Sequence, residues 1–350
     1  MAPIVRLGDP STTTHLATLL NSPQAPRPSR LKILDLCTGT GCITLLISHL
    51  LSRHCPVHVL GLDISPTAIS LAKENLALYP AGPGSKVDFR VADVLASPAS
   101  PSAAAVSDSA RNSADSDAVS NRDDAPPGWR AVLRDFEAES EEDIEAVGWT
   151  AADRDRSRTG KDSWHVLVSN PPYVSPRQYR LTTTKSVRGF EPRLALVPPE
   201  HDFHSQGITT DCANTEMGKA EIGMAANQSA GDPESVDEKE QDEKAEDERA
   251  ADGFYPALLN VAIEKGVKVL LFEVGDAAQA LRVVRMVKEA LGEKWDGLGV
   301  EVWRDEPGAD PEDVDGEAVS GGGELPGVFV RGRGNVRAVF AWNATGDLIQ

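Results

Sequence analysis

The sequence predicts an α/β domain built on a doubly wound, mostly parallel sheet of seven strands that closes with a C-terminal antiparallel hairpin. Three observations predict it. Short apolar strand-like runs alternate with helical periodicity, a glycine-rich turn follows the first of those runs, and the last two runs are separated only by a loop. Residues 31–36 (Leu-Lys-Ile-Leu-Asp-Leu) are a short apolar strand ending in a turn, and residues 42–51 carry helical spacing. Residues 57–62 form the second strand. Ser65 followed by Pro66 then opens a helix that runs to about Leu78, because proline suits the first helical position. Residues 87–91 and 164–169 follow as the third and fourth strands. A helix over 254–265, a buried strand over 267–274 and a helix over 277–291 continue the alternation. Residues 300–303 and 336–340 complete the set as a hairpin. In such a sheet the ligand sits beyond the C-terminal ends of the parallel strands.

Composition divides the chain further. The 350 residues include 54 acids and 35 bases, for a net charge of -19. That total argues against a protein that grips nucleic acid by neutralising phosphates, which needs a basic face. The charge is concentrated, however. Residues 97–162 carry a net of -7, residues 200–252 a net of -12, and residues 305–325 hold 8 acids and no base. The remaining 210 residues carry +8. Low hydrophobicity with high charge cannot repay the entropy of ordering, so 97–162, 200–252 and 305–325 are expected to be disordered acidic insertions, with an acidic helix over 129–148 as the exception. No run reaches the apolar length of a membrane span, and Cys37, Cys42, Cys55 and Cys212 have no metal or redox spacing, which suits a reduced, intracellular protein.

The chemistry gathers at the predicted strand ends. The first strand runs into Asp35-Leu36-Cys37-Thr38-Gly39-Thr40-Gly41, where glycines let a ligand lie against bare backbone at a helix start. This is not the dinucleotide G-x-G-x-x-G, because Thr44 occupies the third glycine position, and Asp35 would repel a pyrophosphate. The sulfonium and amino group of S-adenosylmethionine suit it better. A tight strand-to-helix turn is the plain alternative. Asp63 ends the second strand, 22 residues beyond Gly41, where a carboxylate can accept both hydroxyls of a ribose. Asp93, after the third strand, could accept from an adenine amino group or simply close a turn.

The fourth strand ends in Asn170-Pro171-Pro172-Tyr173. Two consecutive prolines donate no backbone hydrogen bond, which leaves nearby carbonyls available as acceptors. The Asn170 side-chain oxygen and the Pro171 carbonyl can accept both hydrogens of a planar NH2 group, and Tyr173 can stack on its plane. Two acceptors aimed at those hydrogens concentrate electron density on a nitrogen that is otherwise a poor nucleophile. Asn170, Pro171 and Tyr173 are therefore the candidate catalytic residues. His54-Cys55-Pro56-Val57-His58 lacks further ligands and reads as a surface loop, so no metal is expected. Arg331-Gly332-Arg333-Gly334 has only two charges and reads as a solvated turn.

The order of Asp35–Gly41, Asp63, Asn170–Tyr173 and Phe190-Glu-Pro-Arg-Leu-Ala-Leu196 resembles HemK/PrmC-type methyltransferases. Residues 185–197, and Phe272-Glu-Val-Gly-Asp276 followed by Gln279, look most like the fungal mitochondrial branch. The resemblance covers about 30–95, 164–199 and 254–342. It implies a Rossmann-like class I fold, S-adenosyl-L-methionine as cofactor, and methylation of the side-chain amide of the glutamine in the Gly-Gly-Gln loop of a peptide chain release factor. It also implies donor contacts from Cys37, Thr38, Gly39, Thr40, Gly41 and Asp63, joined by Asp35 and Asp93 from the reading above. Asn170 lies between donor and acceptor. Pro171, Pro172 and Tyr173 join it in holding the substrate glutamine, with Glu191 and Arg193 at the rim of that pocket; a structural salt bridge between the last two is the equal alternative. Glu273 reads as structural.

Members of that family carry a helical domain ahead of the core, and residues 1–30 are expected to be a short remnant of it before a methyltransferase domain over 31–342. Mitochondrial location rests on the resemblance, with the cytoplasm as the alternative. A partner subunit in place of the helical domain stays open. Two other functions stay open as well: a methyltransferase acting on the amino group of adenine in nucleic acid, and a non-catalytic donor-binding module. Neither direct nucleic-acid binding nor a membrane is expected.

Overall fold

A computed structural model of the chain describes residues 10–22, 28, 30–82, 85–96, 126–146, 164–199, 234–309, 328–345 and 348. Helix α1 (Pro10–Leu20) is followed by β1 (Leu31–Leu36), α2 (Cys42–Leu51), β2 (Val57–Asp63), α3 (Pro66–Leu78) and β3 (Lys86–Val91). Helix α4 (Trp129–Ala146) leads to β4 (Val166–Ser169), then to two short helices, α5 (Pro176–Leu181) and α6 (Lys185–Phe190). Helices α7 (Glu234–Ala251) and α8 (Phe254–Glu264), strand β5 (Val269–Glu273) and helix α9 (Ala277–Leu291) come next. The order ends with β6 (Leu298–Glu306), β7 (Phe329–Arg331) and β8 (Arg333–Asn343).

These strands form one sheet in the order β3-β2-β1-β4-β5-β8-β6-β7. The first five are parallel, while β8 runs antiparallel to both β5 and β6. The expected seven-stranded count is therefore corrected to eight. The additional strand is β7, three residues pairing parallel to the edge of β6, too short to carry a hydrophobic pattern of its own.

Both faces of the sheet are covered, and strand alternation sorts the core into two halves. Ile33, Val57, Val59, Val166, Val168, Val269 and Leu271 face α1 and α2. Leu34, Leu36, Leu60, Leu62, Leu167, Leu270 and Phe272 face α4, α8 and α9. Parallel strands buried on both sides read as continuous apolar runs, which is why they were visible in the sequence. Ser65 caps α3 as expected: its hydroxyl accepts from the Ala68 amide at 3.3 Å, with Pro66 in the first turn.

Parts of the acidic insertions lie among the described residues and are ordered. Helix α4 lies where an acidic helix was expected and buries Trp129, Val132, Leu133 and Phe136. Its Glu137 accepts from Trp164 Nε1 at 2.8 Å and from Lys265 Nζ at 3.1 Å. Helix α7 corrects the expectation of disorder over 234–251. It contributes little apolar surface, yet Asp247 and Glu248 find partners on the body of the fold, so pairing replaces burial as the reason it is held. Asp305 and Glu306 are also ordered: Asp305 binds Arg337 and Asn335, and Glu306 binds Arg333. The disorder expected over 97–125, 147–163, 200–233 and 310–327 lies outside the described residues.

Candidate active site

The site is set by register. Leu62 pairs with Leu36, Leu36 with Ser169, and Ser169 with Phe272. One residue further on, Asp63, Cys37, Asn170 and Glu273 therefore stand in a row across the C-terminal edge of four parallel strands. Adjacent strands lie about 5 Å apart, so this row spans the width of a small ligand. Asp93 follows β3 at the outer end of the same edge. Its Oδ1 accepts from the Leu95 amide at 2.8 Å, and its backbone pairs with Gly128 and Trp129. The aspartate thus closes a turn, one of its two expected roles.

The turn after β1 alternates left-handed backbone at Cys37 (φ 61°), Gly39 (φ 55°) and Gly41 (φ 79°). Cys37 is the one non-glycine residue with positive φ among the described residues, and such a conformation costs about 1–2 kcal/mol. The loop is tied down by the Thr38 amide on the Leu62 carbonyl (2.9 Å) and the Gly39 amide on Asp63 Oδ2 (2.8 Å). Asn75 Nδ2 from α3 donates to the Thr40 carbonyl at 3.0 Å. Asp63 Oδ1 also accepts from the Ser65 amide at 2.9 Å. Asp63 therefore shapes the turn as well as facing the strand-end row, and burial raises its pKa.

The two central glycines do different things. A Cβ on Gly41 would come within 2.6 Å of the Phe89 ring, so this glycine exists for packing. A Cβ on Gly39 would meet nothing within 4 Å, so its bare backbone borders open space. Asp35 is fully buried beneath the turn. Its Oδ2 accepts from Thr38 Oγ1 (2.7 Å), Thr44 Oγ1 (2.7 Å) and the Thr44 amide (3.2 Å), capping α2, whose own N-cap Gly41 has no side chain to do so. Its Oδ1 is buried with no hydrogen-bond partner among the described residues, and burial raises the carboxyl pKa to about 6. Burial, followed by the Asp63 and Asp35 charges, also pushes the Cys37 thiol well up.

Asn170 is half-buried, and its side chain makes no hydrogen bond among the described residues. Pro171 and Pro172 are buried. The Tyr173 ring packs against Gly275, where an added Cβ would meet Cδ2 at 3.1 Å, and its phenol pKa is raised by burial, then by Glu273. The positive charge of Arg337 opposes that rise. Glu191 and Arg193 are not drawn into the row. Both are exposed on the arm that follows, and no ion pair joins them among the described residues. The Arg193 guanidinium lies 6.0 Å from the centroid of the Tyr179 ring.

Sequence reasoning missed the groups behind this loop. Gln279 is 3 % exposed; its Oε1 accepts from the Gly275 amide at 2.8 Å. Its Nε2 faces Asp252 Oδ1 (2.9 Å), the Tyr173 carbonyl (3.3 Å) and the Ala251 carbonyl (3.3 Å). Arg282 in turn holds Asp252 through Nε and Nη2. In the sequence Gln279 stands out only through the family resemblance. Asp252 closes an acidic stretch, and nothing local marks it as the acid aimed inward.

The parallel order β3-β2-β1-β4-β5 with antiparallel β8 inserted next to β5 is the fold of class I S-adenosylmethionine-dependent methyltransferases. The residues present fit that donor: a buried carboxylate oxygen on Asp35 without a partner among the described residues suits a cationic head, and the backbone at Gly39 borders open space that would admit it.

Comparison with known proteins agrees with that class. The family described as "Methyltransferase domain" matches residues 33–118. The chain is 28% identical over 168 residues to the "Probable MRF1 mitochondrial N(5)-glutamine methyltransferase mtq1" of Schizosaccharomyces pombe, covering 48% of this chain and 36% of that one. It is 35% identical over 95 residues to the "Release factor glutamine methyltransferase" of Koribacter versatilis, covering 27% and 31%. The matches thus span about a third of the length of each relative. Among solved structures, a putative class I S-adenosylmethionine-dependent methyltransferase from Listeria monocytogenes superposes with a TM-score of 0.39 at 12% identity, covering 97% of this chain and 61% of that one. At that score the strand order itself, rather than the superposition, defines the fold.

Proposed function

We propose that this protein is a protein-glutamine N-methyltransferase of the HemK/PrmC type, acting on the Gly-Gly-Gln glutamine of a peptide chain release factor, in mitochondria. The observation that carries the reading is Asn170: a half-buried amide without a hydrogen-bond partner among the described residues, standing between Cys37 and Glu273 in the row of strand ends. Similarity to two relatives named as glutamine methyltransferases supports the choice of acceptor. When bound, the donor supplies an electrophilic methyl group. Asp35, Cys37, Thr38, Gly39, Thr40, Gly41, Asp63 and Asp93 form the donor side of the site.

On the acceptor side, Asn170 Oδ1 and the Pro171 carbonyl accept the two amide hydrogens of the substrate glutamine and orient its nitrogen. Pro172 contributes no amide that could compete for those acceptors. Tyr173, braced against Gly275, supplies the flat wall of the pocket. Glu191 and Arg193 lie on the exposed arm where the rest of the acceptor protein would rest. The proton lost from the amide passes to water, so no histidine or lysine base is needed. Positioning and fixed acceptors of this sort contribute several kcal/mol to a transfer.

The test is transfer from labelled S-adenosylmethionine to a release factor and to its Gly-Gly-Ala variant. Label on the intact factor alone supports the reading. Label on nucleic acid, or donor binding without transfer to any acceptor, overturns it. In the same assay Asn170→Ala should lower turnover by about 100-fold or more, with donor affinity retained.

A further inference from the structure

The four residues of the acceptor loop have little of their own to hold them. Pro171 and Pro172 lack amide hydrogens, and the Asn170 side chain is uncommitted among the described residues. Loop geometry must therefore come from outside, and two side chains contribute to it beside the Val174 amide, which donates to the Leu196 carbonyl at 2.8 Å. At one point Gln279 reaches the Tyr173 carbonyl. Its amide cannot flip without loss, because Oε1 accepts from Gly275 while Nε2 donates toward Asp252 and two carbonyls. At the other, Asp247 of α7 accepts from Ser175 Oγ through Oδ2 and from the Arg177 amide through Oδ1 at 2.9 Å. Ser175 is 2 % exposed, and its hydroxyl also accepts from the Gln178 amide at 3.0 Å. Asp247 thus completes the N-terminus of α5, satisfying an amide that the Ser175 cap does not reach.

Both supports converge on the end of α7. Asp247, Glu248 and Ala251 lie on its inward side, Glu248 pairs with Arg282 at 3.6 Å, and Arg282 fixes the Asp252 that orients Gln279. By contrast, Glu240, Asp242, Glu243 and Glu246 are exposed. A merely solubilising acidic helix would have no reason to aim one carboxylate at the segment adjoining the acceptor loop and another at the group behind its carbonyl.

We propose that Asp247 and Gln279 are positioning residues for the methyl acceptor, clamping residues 173–177 at two points, and that the acidic helix α7 is thereby a working part of the acceptor site. The proposal rests on reading 170–173 as the acceptor loop. Neither residue touches the reacting atoms; each acts through the backbone that carries Asn170 and the Pro171 carbonyl. Displacing such groups by about 1 Å can lower a rate by about 100-fold.

The test compares Asp247→Ala, Gln279→Met and the control Glu243→Ala with wild type in the full chain. Amide hydrogen exchange reads the clamp without any acceptor, calorimetry reads donor affinity, and steady-state transfer to the release factor reads kcat and KM. We expect exchange at 174–178 to quicken by about tenfold in Asp247→Ala while 31–63 stays protected. We expect kcat to fall by about 10- to 100-fold in both variants, with donor affinity within about twofold of wild type. Asp247→Asn, which keeps an acceptor oxygen for Arg177, should recover most of the turnover, and Glu243→Ala should match wild type. Unchanged exchange and turnover in Asp247→Ala overturn the clamp. So does equal loss of protection across the whole sheet together with donor affinity, which marks a fold defect. A wild-type chain that transfers nothing to a release factor, while exchange behaves as expected, leaves the clamp standing and removes the acceptor assignment.

Discussion

Asp35 shows how far burial changes the chemistry of one residue. Its carboxyl pKa is raised from 3.8 to about 6 by desolvation, against the opposing hydrogen bonds of Thr44 and Thr38. A carboxyl that holds its proton more tightly when folded stabilises the protein most below pH 3.8 and loses that contribution as pH rises through about 6. His165 works in the opposite sense. Burial lowers its pKa from 6.5 to about 4, and its Nδ1 accepts from the Lys32 amide at 2.9 Å, so its contribution is lost as pH falls from 6.5 toward 4. The two act in opposite directions in the wild type, and a difference experiment separates them. Between pH 4 and pH 7, the stability of Asp35→Asn relative to wild type should rise by on the order of 2–3 kcal/mol in denaturant unfolding. A difference independent of pH would show that the carboxyl is not held up. A cationic donor head beside the same carboxyl favours its ionised form, so donor affinity measured by calorimetry should increase from pH 5 to pH 7. Asp35 and Asn170 were both legible in the sequence as chemistry-bearing residues. That Asp35 also caps α2 was not, because Thr44 lies nine positions away and the bond forms only when strand and helix pack.

At the scale of elements, the glycine turn was legible as a turn, but its division of labour was not. Gly41 is forced by the Phe89 ring from β3, a contact between segments distant in the chain. Gly39 is forced by its backbone and borders open space. Gly41→Ala should therefore lower stability by about 1–3 kcal/mol, combining overpacking with left-handed strain. Gly39→Ala should cost only about 1 kcal/mol by thermal unfolding, yet weaken donor binding by about tenfold or more, since its methyl group enters the open space. Equal effects of the two substitutions on stability and donor affinity would contradict this assignment. Helix α7 is the clearest failure of reading by composition. Its 18 residues, Glu234–Ala251, offer almost no apolar periodicity, and what holds its end are polar bonds to Ser175, Arg177 and Arg282. Partners of that sort leave no periodic trace. Helix α4 was readable because Trp129, Val132, Leu133 and Phe136 recur at helical spacing.

For the whole molecule, the sheet is a two-faced wall, and α1 closes one face. Leu16 is fully buried, with Ala17 and Leu20 beside it, against Ile43, Ile47 and Leu51 of α2 and Trp303 of β6. His15 meets the Trp303 ring edge-on at 4.9 Å between centroids. Helix α1 is thus part of the core. Leu16→Ala should destabilise the protein by about 2–5 kcal/mol in denaturant unfolding, while donor affinity at saturating folded protein stays near wild type. A loss under about 0.5 kcal/mol would mean that α1 is not seated on this face.

The sequence by itself determined the alternating strands and helices, the antiparallel close, the glycine turn and the Asn170–Tyr173 loop. Each is a local pattern: periodic burial, a residue type that alone tolerates a backbone conformation, or prolines that remove donors. Tertiary structure alone decided that Asp63, Cys37, Asn170 and Glu273 share one row, since that follows from the register between paired strands 26 to 133 residues apart in the chain. It also decided which acids of a charged stretch turn inward. Aspartates and glutamates along α7 have much the same local chemistry, and only the positions of Ser175, Arg177 and Arg282 in space single out Asp247, Glu248 and Asp252.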